Sequence, residues 1–407
     1  MKQISFIHGA DLHLDSPMVG LSYLPKAIFE RLKESTFTAL TRLVDAAIEN
    51  EVDFVILAGD LFDEQDRSVR AQTRLRKEME RLKGKGIAVY VIHGNHDHLN
   101  GEWVHLDMPQ NVYIFPDRVV VKPHTTKNHT VAHLYGFSYP TRHLENNYLT
   151  QYTKKEGADF HIGILHGHYE GNSDHSRYAS FTTKELIEKN FDYWALGHIH
   201  KRQIIHHSPI ISYPGNIQGR NSKEVGEKGC FLVKMTEEET NIEFIRTADI
   251  IWDSVEVDCT PLKSFQELYI LLRKTMEEKR LLDDGVLLTI SLSNIRLDEK
   301  EWLPVKNGEL LQALQDDEKD EDSFVWPIAI HTGHSMEWER SELEAESQFF
   351  KEMFQTVDDT ETIGDSIKPL YDHPIAAKFL DPLSSREKKD MEQEALDLLV
   401  SLLKKGG

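Results

Sequence analysis

The sequence predicts an α/β protein, and three observations carry that prediction. Short apolar runs rich in valine and isoleucine alternate with helix-length amphipathic stretches through the first hundred residues. Each of these runs ends in a small cluster of glycine, aspartate, asparagine and histidine. After residue 250 the alternation resumes on a smaller scale, and a charged tail of helical character follows. Strands alternating with helices of this length indicate a parallel sheet.

Ile4-Ser5-Phe6-Ile7-His8 reads as the first strand, ending in Gly9-Ala10-Asp11-Leu12-His13. From Ala27 to Asn50 the spacing of Phe37, Leu40, Leu43, Val44, Ala47 and Ile48 predicts a helix. Phe54–Ala58 is the second buried strand and runs into Gly59-Asp60. A charged helix over Val69–Lys83 leads to the third strand, Val89–Ile92, which opens into His93-Gly94-Asn95-His96-Asp97. Shorter strand-like pieces fill Val112–Tyr139. Phe160–Leu165 then ends in His166-Gly167-His168, a helix covers Thr182–Asn190, and Tyr193–Leu196 ends in Gly197-His198-Ile199-His200. Short strands follow at Gln203–His206, Ile210–Tyr213, Gly229–Met235 and Asn241–Arg246.

A second unit is expected over residues 251–334: strands at Ser254–Val257, Val286–Leu292 and Phe324–Ile330, helices at Leu262–Lys279 and Gly308–Leu314. The acidic run Asp316–Asp322 reads as a solvated loop. Residues 335–407 form a charged helical tail. Ser385-Arg386-Glu387 reads as a helix start, and Met391, Ala395, Leu396, Leu399, Val400 and Leu403 make an apolar stripe. That stripe either docks back on its own unit or offers itself to another protein.

Composition narrows the class. The 407 residues carry 47 Lys+Arg against 68 Asp+Glu, a net charge of −21. The charge is unevenly spread: residues 1–250 hold 29 basic against 33 acidic side chains, the remainder 18 against 35, and 18 of the 21 histidines lie in the first part. The near-neutral, imidazole-rich part therefore stays open to a polyanionic substrate despite the total. No apolar stretch approaches the roughly 18 residues of a membrane span. Two cysteines make no disulfide framework and no zinc pair. The expected address is the cytoplasm, with no membrane association.

The strand-end polar residues, in order, are Asp11, His13, Asp60, Asn95, His96, His166, His198 and His200. Imidazole with carboxylate suits Mn, Fe or Zn, and a neutral amide oxygen is a hard ligand. Eight such groups exceed what one ion with open positions needs. They fit two ions about 3.5–4 Å apart that clamp both oxygens of an in-line phosphoryl displacement. Singly, Asp-x-His is an ordinary turn and Gly-His-x-His a satisfied surface pair; the ordered set at five strand ends is the signal. No Gly-x-Ser-x-Gly elbow or Walker A sequence accompanies it.

Asp11-x-His13, Gly59-Asp60, Gly94-Asn95-His96-Asp97, His166 and Gly197-His198-x-His200 resemble the five motifs of the calcineurin-like metallophosphoesterases. His8-x-x-Asp11-x-His13-Leu14, Ala58–Asp63 and Ala195–His200 look like the SbcD-type DNA nucleases. The run Tyr213–Arg220 is similar to that of the YhaO-like DNA repair exonucleases of Gram-positive bacteria. The resemblance covers roughly residues 1–250, the nuclease domain. It implies a four-layer α/β/β/α sandwich carrying a small α/β capping domain and a helical C-terminal tail. It also implies two divalent metal ions, most readily Mn, with Mg, Fe or Zn as substitutes. One would be held by Asp11, His13, Asp60 and His200, the other by Asp60, Asn95, His166 and His198. His96 is then the group that faces the scissile phosphate and protonates the leaving oxygen, with Asp97 orienting its ring. Asp63 stands where archaeal and eukaryotic relatives carry a histidine.

The function implied is Mn-dependent DNA exonuclease action in repair. DNA is the substrate, a coiled-coil ATPase of the SbcC (YhaN-like) type the partner on the tail, and a homodimer the assembly. Two alternatives stand beside it: a phosphatase or phosphodiesterase on small phosphoesters or nucleotides, and a catalytically weak scaffold subunit of an ATPase complex. Arg67, Arg70, Arg74, Arg76 and Lys77 on the second helix form either a phosphate-contacting face or a solvated one.

Overall fold

The computed structural model describes residues 2–63, 68–101, 104, 106–144, 148–169, 179–295, 297–318, 323–332, 340–358 and 362–371, with scattered positions between 373 and 403. Among the described residues, no helix is long and apolar enough to cross a membrane.

The first part opens with β1 (Gln3–Gly9), α1 (Lys26–Glu49), β2 (Phe54–Ala58), α2 (Val69–Gly84), β3 (Ala88–Ile92) and β4 (Val112–Ile114). It continues through β5 (Val120–Thr125), β6 (Val131–Gly136), β7 (Phe160–His166), α3 (Thr183–Ile187), β8 (Tyr193–Gly197), β9 (Gln203–His207), β10 (Ile210–Tyr213), β11 (Gly229–Thr236) and β12 (Thr240–Arg246). The strands make two six-stranded sheets, ordered β12-β11-β1-β2-β3-β4 and β5-β6-β7-β8-β10-β9. β1 to β4 are mutually parallel, as are β6, β7, β8 and β10. The antiparallel members β11, β12, β5 and β9 lie outside these parallel blocks. The sheets are thus mixed, because antiparallel strands flank the parallel blocks that the crossovers build.

Three apolar layers show why the elements stack as they do. The first holds Phe37, Leu40, Leu43 and Val44 of α1 and Leu75, Met79 and Leu82 of α2 against Val55, Leu57, Val89 and Val91. The second lies between the sheets, with Phe6, Phe54, Ile56, Tyr90 and Ile92 meeting Leu134, Ile162, Ile164, Tyr193 and Ala195. The third covers the far face of the second sheet with Phe137, Tyr152, Leu165, Leu186, Phe191 and Trp194. Each of β2, β7 and β8 is buried along its whole length, as strands covered on both faces must be. The result is a helix–sheet–sheet–helix sandwich.

Helix α3 is shorter than the Thr182–Asn190 stretch predicts. Thr182 and Glu185 form a reciprocal capping box at its start, and Asn190 takes a positive φ of 56° that ends the turn after it.

The later elements are β13 (Ile250–Asp258), α4 (Phe265–Lys279), β14 (Gly285–Ser293), α5 (Glu299–Lys306), α6 (Glu309–Asp316) and β15 (Val325–Thr332), the strands ordered β13-β14-β15. Helix α5 is absent from the sequence expectation because Pro304 interrupts its pattern; Asp298 caps its start by accepting from Glu301 N. The chain forms two compact units. One comprises 1–254, 273–289 and 313–328; the other comprises 255–272, 290–312 and 329–407. Within the first, Trp252, Leu287 and Phe324 pack with Ile28 and Leu32 of α1. In the acidic run, Asp316 and Asp317 are exposed, as a solvated stretch would be, while the Glu318 carboxylate is covered and accepts from Arg280 NH1 and NH2; residues 319–322 lie outside the described residues.

Within the second unit, α7 (Arg340–Glu346) and α8 (Gln348–Asp358) pack Leu343 and Phe354 against Val400 and Leu396. The terminal stripe therefore docks on its own unit through these two residues, while Met391, Leu399 and Leu403 stay more exposed. The proposed helix start at 385–387 lies outside the described residues.

Candidate metal centre

The polar residues converge because every strand that bears them ends on the same side of its sheet. Asp11 and His13 follow β1, Asp60 follows β2, and Asn95 and His96 follow β3. His166 ends β7, while His198 and His200 follow β8. The loop after β1 is laced onto the loop after β2: Asp11 N donates to Gly59 O, His13 N to Asp60 O and Leu14 N to Leu61 O, each at 3.0 Å. That lacing holds Asp11 (φ 51°), His13 (φ 40°) and Asp60 (φ 50°) in the left-handed region, and His198 joins them at φ 102°. Such backbone costs roughly 1–3 kcal/mol per residue and persists where the surroundings over-determine it.

Two glycines permit the approach. A Cβ on Gly94 would overlap Asp60 Oδ1 and sit 2.7 Å from His166 Nε2. A Cβ on Gly59, whose φ is +91°, would overlap His166 Nδ1.

The imidazoles are held by their outer nitrogens. His13 Nδ1 donates to Asp63 Oδ1 at 2.6 Å, His200 Nδ1 to Glu224 Oε1 at 2.6 Å, and His166 Nδ1 to Ala58 O at 2.9 Å. In the neutral tautomers that these bonds select, Nε2 of His13 and of His200 carries its lone pair inward. His13 Nε2 and His200 Nε2 face one another at 3.2 Å. His166 Nε2 faces Asn95 Oδ1 at 3.0 Å and Asp60 Oδ2 at 3.2 Å, and His198 Nδ1 lies 3.2 Å from the same Asn95 oxygen. Asp11 accepts from His198 N at 2.9 and 3.1 Å. Acceptors turned toward acceptors demand a positive partner, either a proton or a metal cation. Among the described residues three donor groups, Asp11–His13–His200, Asp60–His166–His198 and His13–Asp63–His96, each have their ligand atoms within 4.8 Å of one another. Their chemistry fits divalent ions that take nitrogen and oxygen together.

Electrostatics express the same demand. Burial works to lower the His166 pKa, yet the Asp60 and Asp11 carboxylates outweigh it and lift the ring to about 9. Burial likewise works to raise Asp60, but His166, His96 and His13 hold it well below the usual carboxylate range. Four carboxylates, Asp11, Asp60, Asp63 and Glu224, surround the site. Against them stand Arg220, which contacts Asp63, and Lys228, whose Nζ donates to His200 O at 3.0 Å.

His96 sits at the lip, with its side chain 35% exposed and its ring edge-on to His13 at 5.1 Å. Its backbone N–H donates to Asp60 Oδ1 at 2.9 Å, which ties the turn to the centre. The expectation for Asp97 needs correction. Its carboxylate is fully buried and accepts from His93 Nδ1, Gly94 N and Leu61 N at 2.7–2.9 Å. It braces the turn from beneath, because those donors would otherwise be buried without partners. The carboxylate against the His96 ring is that of Asp63, 3.6 Å from Nδ1.

Sequence reasoning gave no role to Asp63 and Arg220 and missed Glu224. Arg220 closes the Tyr213–Arg220 run, but Glu224 carries no local signal beyond its place four residues later. The basic face of α2 is largely engaged: Arg70 and Arg74 stack over Phe37 at 4.8 and 5.3 Å and pair with Glu34, and Arg76 lies 4.0 Å from Glu80. Arg67 lies outside the described residues.

A model of the family described as calcineurin-like phosphoesterase matches residues 4–202. The chain is similar to the uncharacterized metallophosphoesterase YhaO of Bacillus subtilis (strain 168), 40% identical over 99% of each chain. It is 26% identical to the DNA double-strand break repair protein Mre11 of Sulfolobus acidocaldarius, over 77% of this chain and 80% of that one. The Mre11 of Thermoplasma acidophilum is 25% identical over 60% and 65% of the two chains. With a strand-end centre of this chemistry and a full-length relative at this identity, the chain belongs to the calcineurin-like metallophosphoesterase family.

Proposed function

We propose that this metallophosphoesterase cleaves phosphodiester bonds of DNA, as an exonuclease acting in cytoplasmic DNA repair. The observation that carries the reading is the pair of adjoining donor groups that meet at Asp60, whose Oδ2 lies 3.9 Å from His13 Nε2 and 3.2 Å from His166 Nε2. Asp11, His13, Asp60 and His200 would hold one divalent cation; Asp60, Asn95, His166 and His198 would hold the second. Such cations, Mn in first place, supply Lewis acidity and an activated water when bound.

The chain's own part is positioning and proton supply. Asp60 fixes the His96 backbone through Oδ1, so the imidazole is held at the open side where a phosphate would enter. A partly exposed imidazole there can give its proton to the leaving oxygen as the P–O bond breaks. DNA is favoured over a small phosphoester because several relatives are named as DNA double-strand break repair proteins. A coiled-coil ATPase of the SbcC type and a second copy of this chain are the proposed partners. The test is release of acid-soluble nucleotides from linear duplex DNA with and without Mn. Mn-dependent release supports the reading, and no release by a protein loaded with metal overturns it.

A further inference from the structure

The two ligand histidines that face each other, His13 and His200, are held from behind by carboxylates 161 residues apart in the chain, Asp63 and Glu224. Both carboxylates are largely buried, at 14% and 11% side-chain exposure. Arg220 lies between them. Its NH1 donates to Asp63 Oδ1 at 3.1 Å, and its NH2 lies 3.6 Å from Glu224 Oε1. Glu224 closes the unit locally by accepting from Arg220 N and Asn216 Nδ2, each at 2.8 Å.

We infer that Asp63, Arg220 and Glu224 form one ion-paired brace that sets the tautomer and aim of His13 and His200, and that through Asp63 it also faces His96. A carboxylate accepting from Nδ1–H fixes the proton on the outer nitrogen and makes Nε2 the better donor. Two such carboxylates on adjacent rings would repel one another and lie buried without compensation. The guanidinium fork answers both problems at once, which an ammonium point charge does less well. Asp63 has a second task because its Oδ1 lies 2.6 Å from His13 Nδ1 and 3.6 Å from His96 Nδ1. One carboxylate therefore couples the position of a ligand to that of the candidate proton donor. Asp63, Arg220 and Glu224 are positioning residues; each acts through a histidine.

The inference rests on the metal-binding part of the reading above and not on DNA as the substrate. The experiment is calorimetric titration of Mn into the chelator-treated full chain, for wild type, Asp63→Asn, Glu224→Gln and Arg220→Lys. The carboxylate variants are expected to lose about 10–100-fold in affinity at one of two sites. The site formed by Asp60, Asn95, His166 and His198 keeps wild-type affinity. Arg220→Lys, which keeps the charge without the fork, gives a smaller loss at the same site and carries the test if a carboxylate variant does not fold. Unchanged affinity at both sites overturns the brace, and so does equal weakening of both, which marks a general loosening. Wild type that binds two Mn ions but cuts no DNA overturns the proposed substrate and leaves the brace standing. Wild type that binds no metal overturns both.

Discussion

His13 Nε2 and His200 Nε2 face each other across 3.2 Å, each with its proton committed on the far side of the ring to a carboxylate. Two lone pairs at that distance repel unless a proton or a metal cation lies between them. The pair suits a divalent cation, with Asp11 completing the donor group.

Replacing His96 by Ala is expected to lower the rate of Mn-dependent DNA hydrolysis about 10²–10⁴-fold, the usual worth of a positioned proton donor. Metal content should stay at the wild-type level, because the His96 ring stands at the lip and groups with His13 and Asp63 rather than with the residues of the two proposed ion sites. Rate and metal content measured on one preparation check this; equal rates for variant and wild type exclude the role.

Gly94→Ala brings a methyl group into the space of Asp60 Oδ1 and His166 Nε2. We expect it to depress Mn binding as well as activity, unlike His96→Ala. Elemental analysis of the purified variant distinguishes the two, since normal metal content would show that the turn adapts.

Metal removal should destabilise the folded chain. A ligand at 100 times its dissociation constant stabilises by about 2.7 kcal/mol, and on chelation the two adjoining donor groups would lose the cations proposed for them. The thermal midpoint should fall with EDTA and recover when Mn is restored. A midpoint indifferent to both would contradict the fit of the donor set.

His8 links the sheets. It lies on β1, and its Nε2–H donates to Leu196 O at 3.1 Å while its Nδ1 accepts from the Tyr193 hydroxyl at 2.9 Å. Burial lowers its pKa from 6.5 to about 3, although the Leu196 hydrogen bond works the other way. Below pH 6.5 the unfolded chain takes up a proton that folded His8 refuses. Its contribution is complete above pH 6.5, declines as pH falls through that value, and is gone near pH 3. The slope in this window is up to about 1.4 kcal/mol per pH unit. Denaturant unfolding of wild type and His8→Phe at pH 7.5 and 5 should therefore show the wild type losing more stability; parallel losses would exclude the effect.

Val400→Asp places a charge at a fully buried position against Leu343 and Phe354. Burying an unpaired charge is among the few changes that cost several kcal/mol. Limited proteolysis should cut the C-terminal region of this variant faster, with DNA hydrolysis unchanged. Equal proteolysis rates would show that the terminal helix does not rely on this packing.

The strands and the convergence of the candidate ligands were legible in the sequence, and for one reason. A buried strand announces itself by a run such as Phe54–Ala58, and the polar residues that end it, Gly59-Asp60, stand next to it in the chain. Strand ends in a parallel sheet share one side, so local order already implied spatial convergence. Several things were decided only by tertiary structure. The sheets proved mixed because β11 and β12, late in the chain, pair beside β1. Pro304 hid a helix that Asp298 caps. Asp97 adjoins His96 in sequence, but the tight turn points its carboxylate inward to three donors and leaves His96 beside Asp63. Asp63, Arg220 and Glu224 gain their meaning from close approach across 157 residues and more, which no periodicity encodes. Candidate ligands lie where strands stop, and strand ends are legible; the charged groups that contact them lie wherever the fold brings a charge within reach.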